Sequence, residues 1–332
     1  MTHEDVRPLL GAYAMAPTAP AEEAAFYDGV AGLDVGGLEL PLPLPGAPSL
    51  EPAWFDRNVR PGWDLLVTCV PTVMGRLATD PGYGLAATDD DARARALEDV
   101  ARARDLALRL ADTHGRRRVV AVQVHSAPGP DGGSRDALAR SLEVLAGWDL
   151  AGARLLLEHC DAASGDHVAV KGFLTLEEEL AALRAVGAGD VGVGGDGNRD
   201  AADVGPGLSI NWGRSAIEGR GAATPVEHVR AAADAGLLGA VVLSGATGEA
   251  TAWGEAWGDA HIPPRGDDPA LAPSSASLLG PEEVRETLDA AGPDALVAVK
   301  ISVRPTDADV PTRLAVAGAA LTLVDDARRD AR

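Results

Sequence analysis

The sequence predicts a (β/α)8 barrel, on three observations. Eight short apolar runs cross the chain, helical patterns separate most of them, and nearly every run stops at a polar or reactive residue. Alternating strands and helices make a parallel sheet wrapped by helices, and eight such units close into a barrel. The runs are Leu9–Ala16, Val35–Leu40, Leu65–Val70, Val119–His125, Arg154–Cys160, Gly207–Trp212, Ala240–Ser244 and Ala295–Ile301. Barrel enzymes keep their chemistry at the C-terminal ends of the strands. Glu39, Cys69, His125, Glu158, Asn211, Ser244 and Lys300 stand near those ends here.

The elements between the runs follow in order. The first run stops at Pro17, and Pro20 to Ala31 reads as a helix with Glu22 and Glu23 in its first turn. The second run ends in the proline-rich loop Pro41–Pro48, and Leu50–Val59 is a short helical segment. The third ends at Pro71, with a long loop predicted to about Ala87. Thr88–Asp91 then opens a long helix to His114, stopped by Gly115. Ser134 caps a helix to about Ala146. Thr175 caps another, Leu176–Val186, with Glu178 completing a capping box.

A Gly/Asp-rich insertion, about 187–207, reads as a flexible excursion on the stability face, within one barrel covering residues 1–332. Its glycines do not follow a strand and open a helix, so no nucleotide cofactor is expected. After the sixth run a polar loop, Trp212–Ala223, is predicted, then a helix opened by Thr224-Pro225 with Glu227 at the capping-box position. The longest loop, about 245–280, follows the seventh run and carries Trp253, Trp257, Asp259 and His261. Helices Pro281–Ala291 and Pro311–Arg329 complete the ring.

Composition narrows the function. The net charge of −21 over 332 residues argues against nucleic acid or an anionic membrane as partner. Cys69 and Cys160 lie in predicted buried strands with no metal or disulfide spacing. The polar start MTHEDVRPLL lacks a signal-peptide core, and Leu314–Val324 is too short to span a bilayer, so a cytoplasmic protein is expected. Almost all basic residues are Arg, and Lys171 and Lys300 are the only two Lys. A Lys retained inside an apolar strand suggests that an ammonium is needed there.

Leu157-Glu158-His159-Cys160-Asp161 is the densest reactive cluster. Strand alternation puts Glu158 and Cys160 on one face and His159 and Asp161 on the other. A carboxylate at an inner barrel mouth is costly unless it is paired or bound to a cation. Glu158 therefore reads as a functional acid or base, or as the partner of an Arg. His125 can ligate a metal, shuttle a proton, or bond to backbone. Lys300 can stabilise an enediolate, act as base or Schiff-base amine, or form a salt bridge to Glu158 or Glu39. Asn211, Arg214, Glu218 and Arg220 offer polar contacts to substrate, with Arg–Glu bracing as the other reading. Asp259 and His261 are ligand-type side chains two residues apart, in a loop long enough for a lid. Trp253 and Trp257 can stack on a sugar face or simply pack.

The order of elements, Glu158 closing strand five, Asn211 on strand six and the D-x-H-x-P piece Asp259–Pro263 resemble the xylose-isomerase-like barrels. The stretches GAYAMAP, LEHCDA and INWGRSAIEGR are most similar to an uncharacterised bacterial branch of that superfamily. The resemblance implies a sugar isomerase or epimerase, often paired as a homo-oligomer. It also implies a divalent cation (Mn, Mg or Zn) held by Glu on strand five, Asp on strand six, His near strand seven and Glu on strand eight. Glu158 fits the first place and His261 can supply the imidazole. Asn211 replaces the Asp and Lys300 replaces the last Glu, so the cation is either lost or moved, to Glu158, His125 and His261 or to Glu158, His261 and Asp259. The expected activity is proton transfer next to a carbonyl of a small sugar-type substrate. Glu158 would be the base, Lys300 or a metal the enediolate stabiliser, and His125 the shuttle. Glu39, Asn211, Arg214 and Arg220 would bind substrate. The alternatives are a metal-free Schiff-base lyase or aldolase using Lys300, and a non-catalytic carbohydrate-binding barrel.

Overall fold

Eight parallel strands close on themselves in sequence order in the computed structural model, which describes residues 7–46, 51–163, 167–187 and 205–330. The strands are β1 (Leu9–Leu10), β2 (Gly37–Pro41), β3 (Asp64–Thr68), β4 (Val119–Val124), β5 (Arg154–His159), β6 (Gly207–Asn211), β7 (Leu238–Leu243) and β8 (Leu296–Val299). Leu10 pairs with Leu38 on one side and Val299 on the other, which closes the ring. The (β/α)8 architecture is as the sequence predicts. The Gly/Asp-rich insertion lies, from 188 to 204, outside the described residues.

Alternation sorts side chains by layer. Leu9, Leu66, Ala121, Leu156, Ala240, Val242 and Ala298 pack inside the barrel as a separate apolar cluster. The opposite faces, with Leu10, Leu38, Val122, Leu157, Ile210 and Val241, join the larger cluster beneath the helices. Towards the strand C-termini the interior turns polar. Gln123 Nε2 on β4 donates to Ser209 Oγ on β6 at 2.8 Å, past the intervening β5. Glu39, His125, Glu158, Asn211 and Lys300, at or next to the strand C-termini, are buried there too.

The helices are α1 (Pro20–Val30), α2 (Pro52–Asn58), α3 (Val70–Leu77), α4 (Asp90–His114), α5 (Arg135–Ala146), α6 (Leu176–Gly187), α7 (Trp212–Gly219), α8 (Ala223–Asp234), α9 (Pro281–Ala291) and α10 (Val310–Asp330). Ser134 Oγ accepts from Ala137 N, and Thr175 and Glu178 form the predicted capping box.

Four expectations need correction. The first apolar run is strand only at Leu9–Leu10, then a 3-10 turn at Ala12–Ala14. Gly11 makes that turn against Lys300, and a Cβ there would sit 2.9 Å from Lys300 Cγ. The predicted loop after strand three begins with α3, because Pro71 falls in a first helical turn where its missing N–H costs nothing. The polar loop after strand six is the helix α7, capped by Asn211 Oδ1 accepting from Arg214 N at 3.3 Å. The helix after it starts at Ala223 with Ala222 as N-cap and no side-chain capping bond, so Thr224 and Glu227 form no box.

Candidate functional site

β5 presents its residues as alternation requires. The Glu158 carboxylate sits in the barrel mouth, where Oε2 meets His125 Nε2 at 2.7 Å and Arg214 Nη1 at 2.9 Å. Its Oε1 accepts from Asn211 Nδ2 at 3.1 Å. Burial by itself would push this carboxyl up; Arg214, the His125 hydrogen bond and Lys300 outweigh it and hold it well below the usual carboxylate range. A carboxylate acceptor means that the His125 Nε2 carries the hydrogen. Burial then lowers the His125 imidazole and keeps it neutral.

Arg214 is the hub. It comes from the first turn of α7, is fully buried, and donates through Nη1 to Cys160 Sγ at 3.3 Å as well as to Glu158. Its Nε reaches Asp259 Oδ2 at 3.3 Å. Burial opposes its charge, but Cys160, Glu158 and Asp259 around it lift it well above the usual guanidinium range.

On the other side of the mouth, Lys300 Nζ donates to Glu39 Oε1 at 2.8 Å. The Tyr13 hydroxyl donates to the same oxygen at 3.2 Å, and its ring centroid lies 5.3 Å from Nζ. Burial would lower the Lys300 ammonium; Glu39, Tyr13 and Glu158 raise it instead. Both salt-bridge readings of the sequence, Glu158 to an Arg and Lys300 to Glu39, are thus present. Tyr13 was not among the residues read as functional. The 3-10 turn Ala12–Ala14, not strand alternation, brings its hydroxyl to Glu39.

The strand-seven loop closes over this set. Gly245 and Ile262 exchange backbone bonds, which brings Asp259 and His261 down to the mouth. Asp259 Oδ2 also meets Lys171 Nζ at 3.0 Å. Burial would raise the Asp259 carboxyl, but Arg214 and Lys171 hold it well below the usual range. His261, at φ 52°, meets Ser244 Oγ through Nδ1 at 2.9 Å. Burial pulls its imidazole down to about 3 despite Asp259. Arg220 does not join the cluster: it donates to the Val168 carbonyl and lies over the Trp257 ring. Trp253 is buried, and Trp257 fills the space that Gly248 leaves open, so both pack.

These residues do not fit the divalent cation that the resemblance implies. Asn211 donates its amide N–H to Glu158 and takes the Arg214 N–H on its oxygen as a helix cap, so it brings no charged ligand in place of the missing Asp. Lys300 brings an ammonium where a carboxylate would ligate. Arg214 bonds both Glu158 and Asp259, inserting a guanidinium within the set Glu158, Asp259 and His261. The donors of His125, Glu158 and Cys160 lie within 4.8 Å of one another, but Arg214 Nη1 already bonds two of the three.

Several inward polar atoms have no hydrogen-bond partner among the described residues: Glu39 Oε2, Thr68 Oγ1, Gln123 Oε1 and His125 Nδ1. They come from three adjacent strands, β2 to β4. Buried polar atoms are normally satisfied, and an unsatisfied set in a barrel mouth suits a ligand or water rich in hydroxyls.

Solved structures share this architecture. A xylose isomerase domain containing protein from Salmonella typhimurium LT2 superposes at TM-score 0.56 with 12% identity, covering 98% of this chain and 99% of that one. An L-ribulose 3-epimerase superposes at TM-score 0.54 with 16% identity, covering 98% and 96%. At such identities the likeness is one of fold: these proteins and this chain share the (β/α)8 barrel. The chain belongs to the family described as a domain of unknown function, DUF4862, whose model matches residues 9–316. A relative, the uncharacterized protein STM3670 of Salmonella typhimurium strain LT2, is 32% identical over 335 residues, 97% of each chain.

Proposed function

We propose that the protein is a cytoplasmic sugar isomerase or epimerase that moves a proton at a carbon next to a carbonyl. The observation that carries this reading is the buried His125–Glu158 pair in a mouth that also holds the Lys300–Glu39 pair. Glu158 is tied by three donors and held ionised, which makes it a poor proton acceptor. With Nε2–H committed to Glu158, the free lone pair of His125 is on Nδ1, and the neutral imidazole is the base. The reading therefore moves the base from Glu158 to His125, with Glu158 orienting the ring and balancing the imidazolium that forms. Lys300, kept cationic by Glu39, stabilises the enediolate oxygen without a metal. Glu39 Oε2, Thr68 Oγ1 and Gln123 Oε1 offer bonds to the hydroxyls of a sugar. A Schiff-base role for Lys300 is less well supported, because it needs a neutral amine and Glu39 favours the ammonium.

The test is solvent deuterium exchange. The protein is incubated in D2O with a panel of aldoses and ketoses, with EDTA or with added Mn, Mg or Zn. Deuterium should enter the carbon next to the carbonyl of at least one sugar, equally in EDTA. His125→Asn should slow this by about 100-fold or more. If no sugar exchanges under any condition, the isomerase reading is abandoned in favour of a carbohydrate-binding barrel.

A further inference from the structure

Outside the barrel, on the opposite face of β5 from Glu158, a second reactive cluster joins β5 to α6, α7 and α8. His159 Nε2 lies 3.1 Å from Glu218 Oε2, and His228 Nε2 lies 3.8 Å from Glu218 Oε1. The two imidazole centroids are 4.9 Å apart at 79°. One donor atom from each of the three residues falls within 4.8 Å of the others. Nothing in the proposed isomerase chemistry uses them.

The outer contacts distinguish this cluster from an ordinary ion pair. His159 Nδ1 is bound to Glu179 Oε2 at 2.7 Å, and Glu179 Oε1 accepts from Ser126 Oγ at 2.5 Å. His228 Nδ1 is bound to Ser215 Oγ at 3.0 Å. Both rings are therefore gripped at Nδ1 and turn Nε2 towards the same carboxylate. Metal-binding histidines are held in this way, the far ring nitrogen bonded to a carboxylate or hydroxyl that fixes the ring and raises its basicity. Ligand atoms at about 2.1 Å from a tetrahedral cation lie roughly 3.4 Å apart, and 3.1 and 3.8 Å bracket that spacing. The Ala162 N–H donates to Glu218 Oε2 at 2.8 Å, which steadies the carboxylate with Oε1 on the His228 side. The Glu218 and His228 side chains keep 17% and 14% of their surface exposed, so an ion has a way in. Glu179 and Glu218 together prepare His159 for a positive charge, whether proton or metal.

We propose that His159, Glu218 and His228 bind a divalent transition metal of the Zn2+ type, outside the barrel and separate from the mouth. Two imidazoles and a carboxylate suit that class of ion. The site links the two sides of the mouth: His159 follows Glu158 on β5, and Glu218 lies one turn after Arg214 on α7. A cation there clamps the strand carrying the Glu158 carboxylate to the helix carrying its guanidinium partner. It is a positioning site, with no contact to the reacting atoms.

Co2+ is the probe, because its visible absorption reports imidazole and carboxylate ligation. The chelator-stripped full chain is titrated with Co2+ at pH 8, and the melting temperature is read with and without Zn2+. One Co2+ per chain with a visible band, and a higher melting temperature with Zn2+, are expected. His228→Gln should weaken Co2+ binding by tenfold or more while its circular dichroism stays unchanged. Glu158→Gln, in the mouth, should leave the Co2+ band as it is. No band in the unmodified protein, an affinity unchanged in His228→Gln, or a band lost in Glu158→Gln would each overturn the proposal. If His228→Gln fails to fold, Glu218→Gln takes its place with the same expected loss.

Discussion

At the scale of single residues, the barrel mouth is held by charges removed from water. Lys300 and Glu39 are both fully buried, and each offsets the other's desolvation. Lys300→Met should therefore destabilise the fold by about 3–5 kcal/mol, because it leaves the Glu39 carboxylate buried without its cation. Adding Glu39→Gln should recover much of that loss. Urea unfolding of the two single variants and the double variant checks the coupling. Equal midpoints for Lys300→Met and the unmodified protein would show that the pair contributes nothing to stability. The sequence revealed these residues one at a time, as polar groups ending apolar strands. It left open which pairs they form, because partners such as Glu39 and Lys300 stand 261 positions apart and meet only through barrel closure. Tyr13 is hidden for a related reason: in a short apolar run an aromatic ring looks like core, and its hydroxyl gains meaning only beside Glu39.

At the scale of elements, α7 controls the site. It delivers Arg214 to Glu158 and Glu218 to His159. The stretch reads as a polar loop in sequence, yet its glycines are there for close packing. A Cβ on Gly213 would lie 2.6 Å from the Ser244 carbonyl oxygen, and one on Gly219 would lie 1.8 Å from Thr224 Oγ1. Gly213→Ala should push α7 away from the end of β7 and move Arg214 with it. Activity should fall by about 100-fold although no chemical group is removed, since misplacement on the order of 1 Å is enough. Comparing turnover with the melting temperature checks this; unchanged turnover would mean that α7 adjusts without moving Arg214. The capping box of α6 shows the opposite case, although the same spacing at Thr224 and Glu227 forms none. Thr175 and Glu178 are three residues apart, so the sequence alone could place them.

At the scale of the whole molecule, the mouth makes stability depend on pH. His261 is held near 3, below the ordinary 6.5, and Glu158 and Asp259 are held below their ordinary 4.5 and 3.8. For all three the unfolded chain binds protons that the folded chain refuses. Their stabilisation is therefore complete above pH 6.5 and falls as the solution is acidified. His261 contributes a slope of up to about 1.4 kcal/mol per pH unit from pH 6.5 downwards. The carboxylates steepen the fall below pH 4.5. Asn tolerates the left-handed backbone of residue 261, so His261→Asn should flatten the stretch between pH 6.5 and 4.5. Urea unfolding at pH 8, 6 and 5 measures it. An unaltered slope would mean that His261 titrates normally in the folded chain.

The sequence by itself determined the barrel, the end of it that carries polar chemistry, and the two faces of β5. Those follow from periodicity, and a period of two residues or of one helical turn is a local property that a linear pattern records. The tertiary structure decided which charges meet. It put a guanidinium between Glu158 and Asp259, gave Lys300 to Glu39, and gathered His159, Glu218 and His228 on the outer side. Ring closure brings distant strand ends within a few ångströms, and inside a low-dielectric mouth that proximity sets each group's charge and its chemistry.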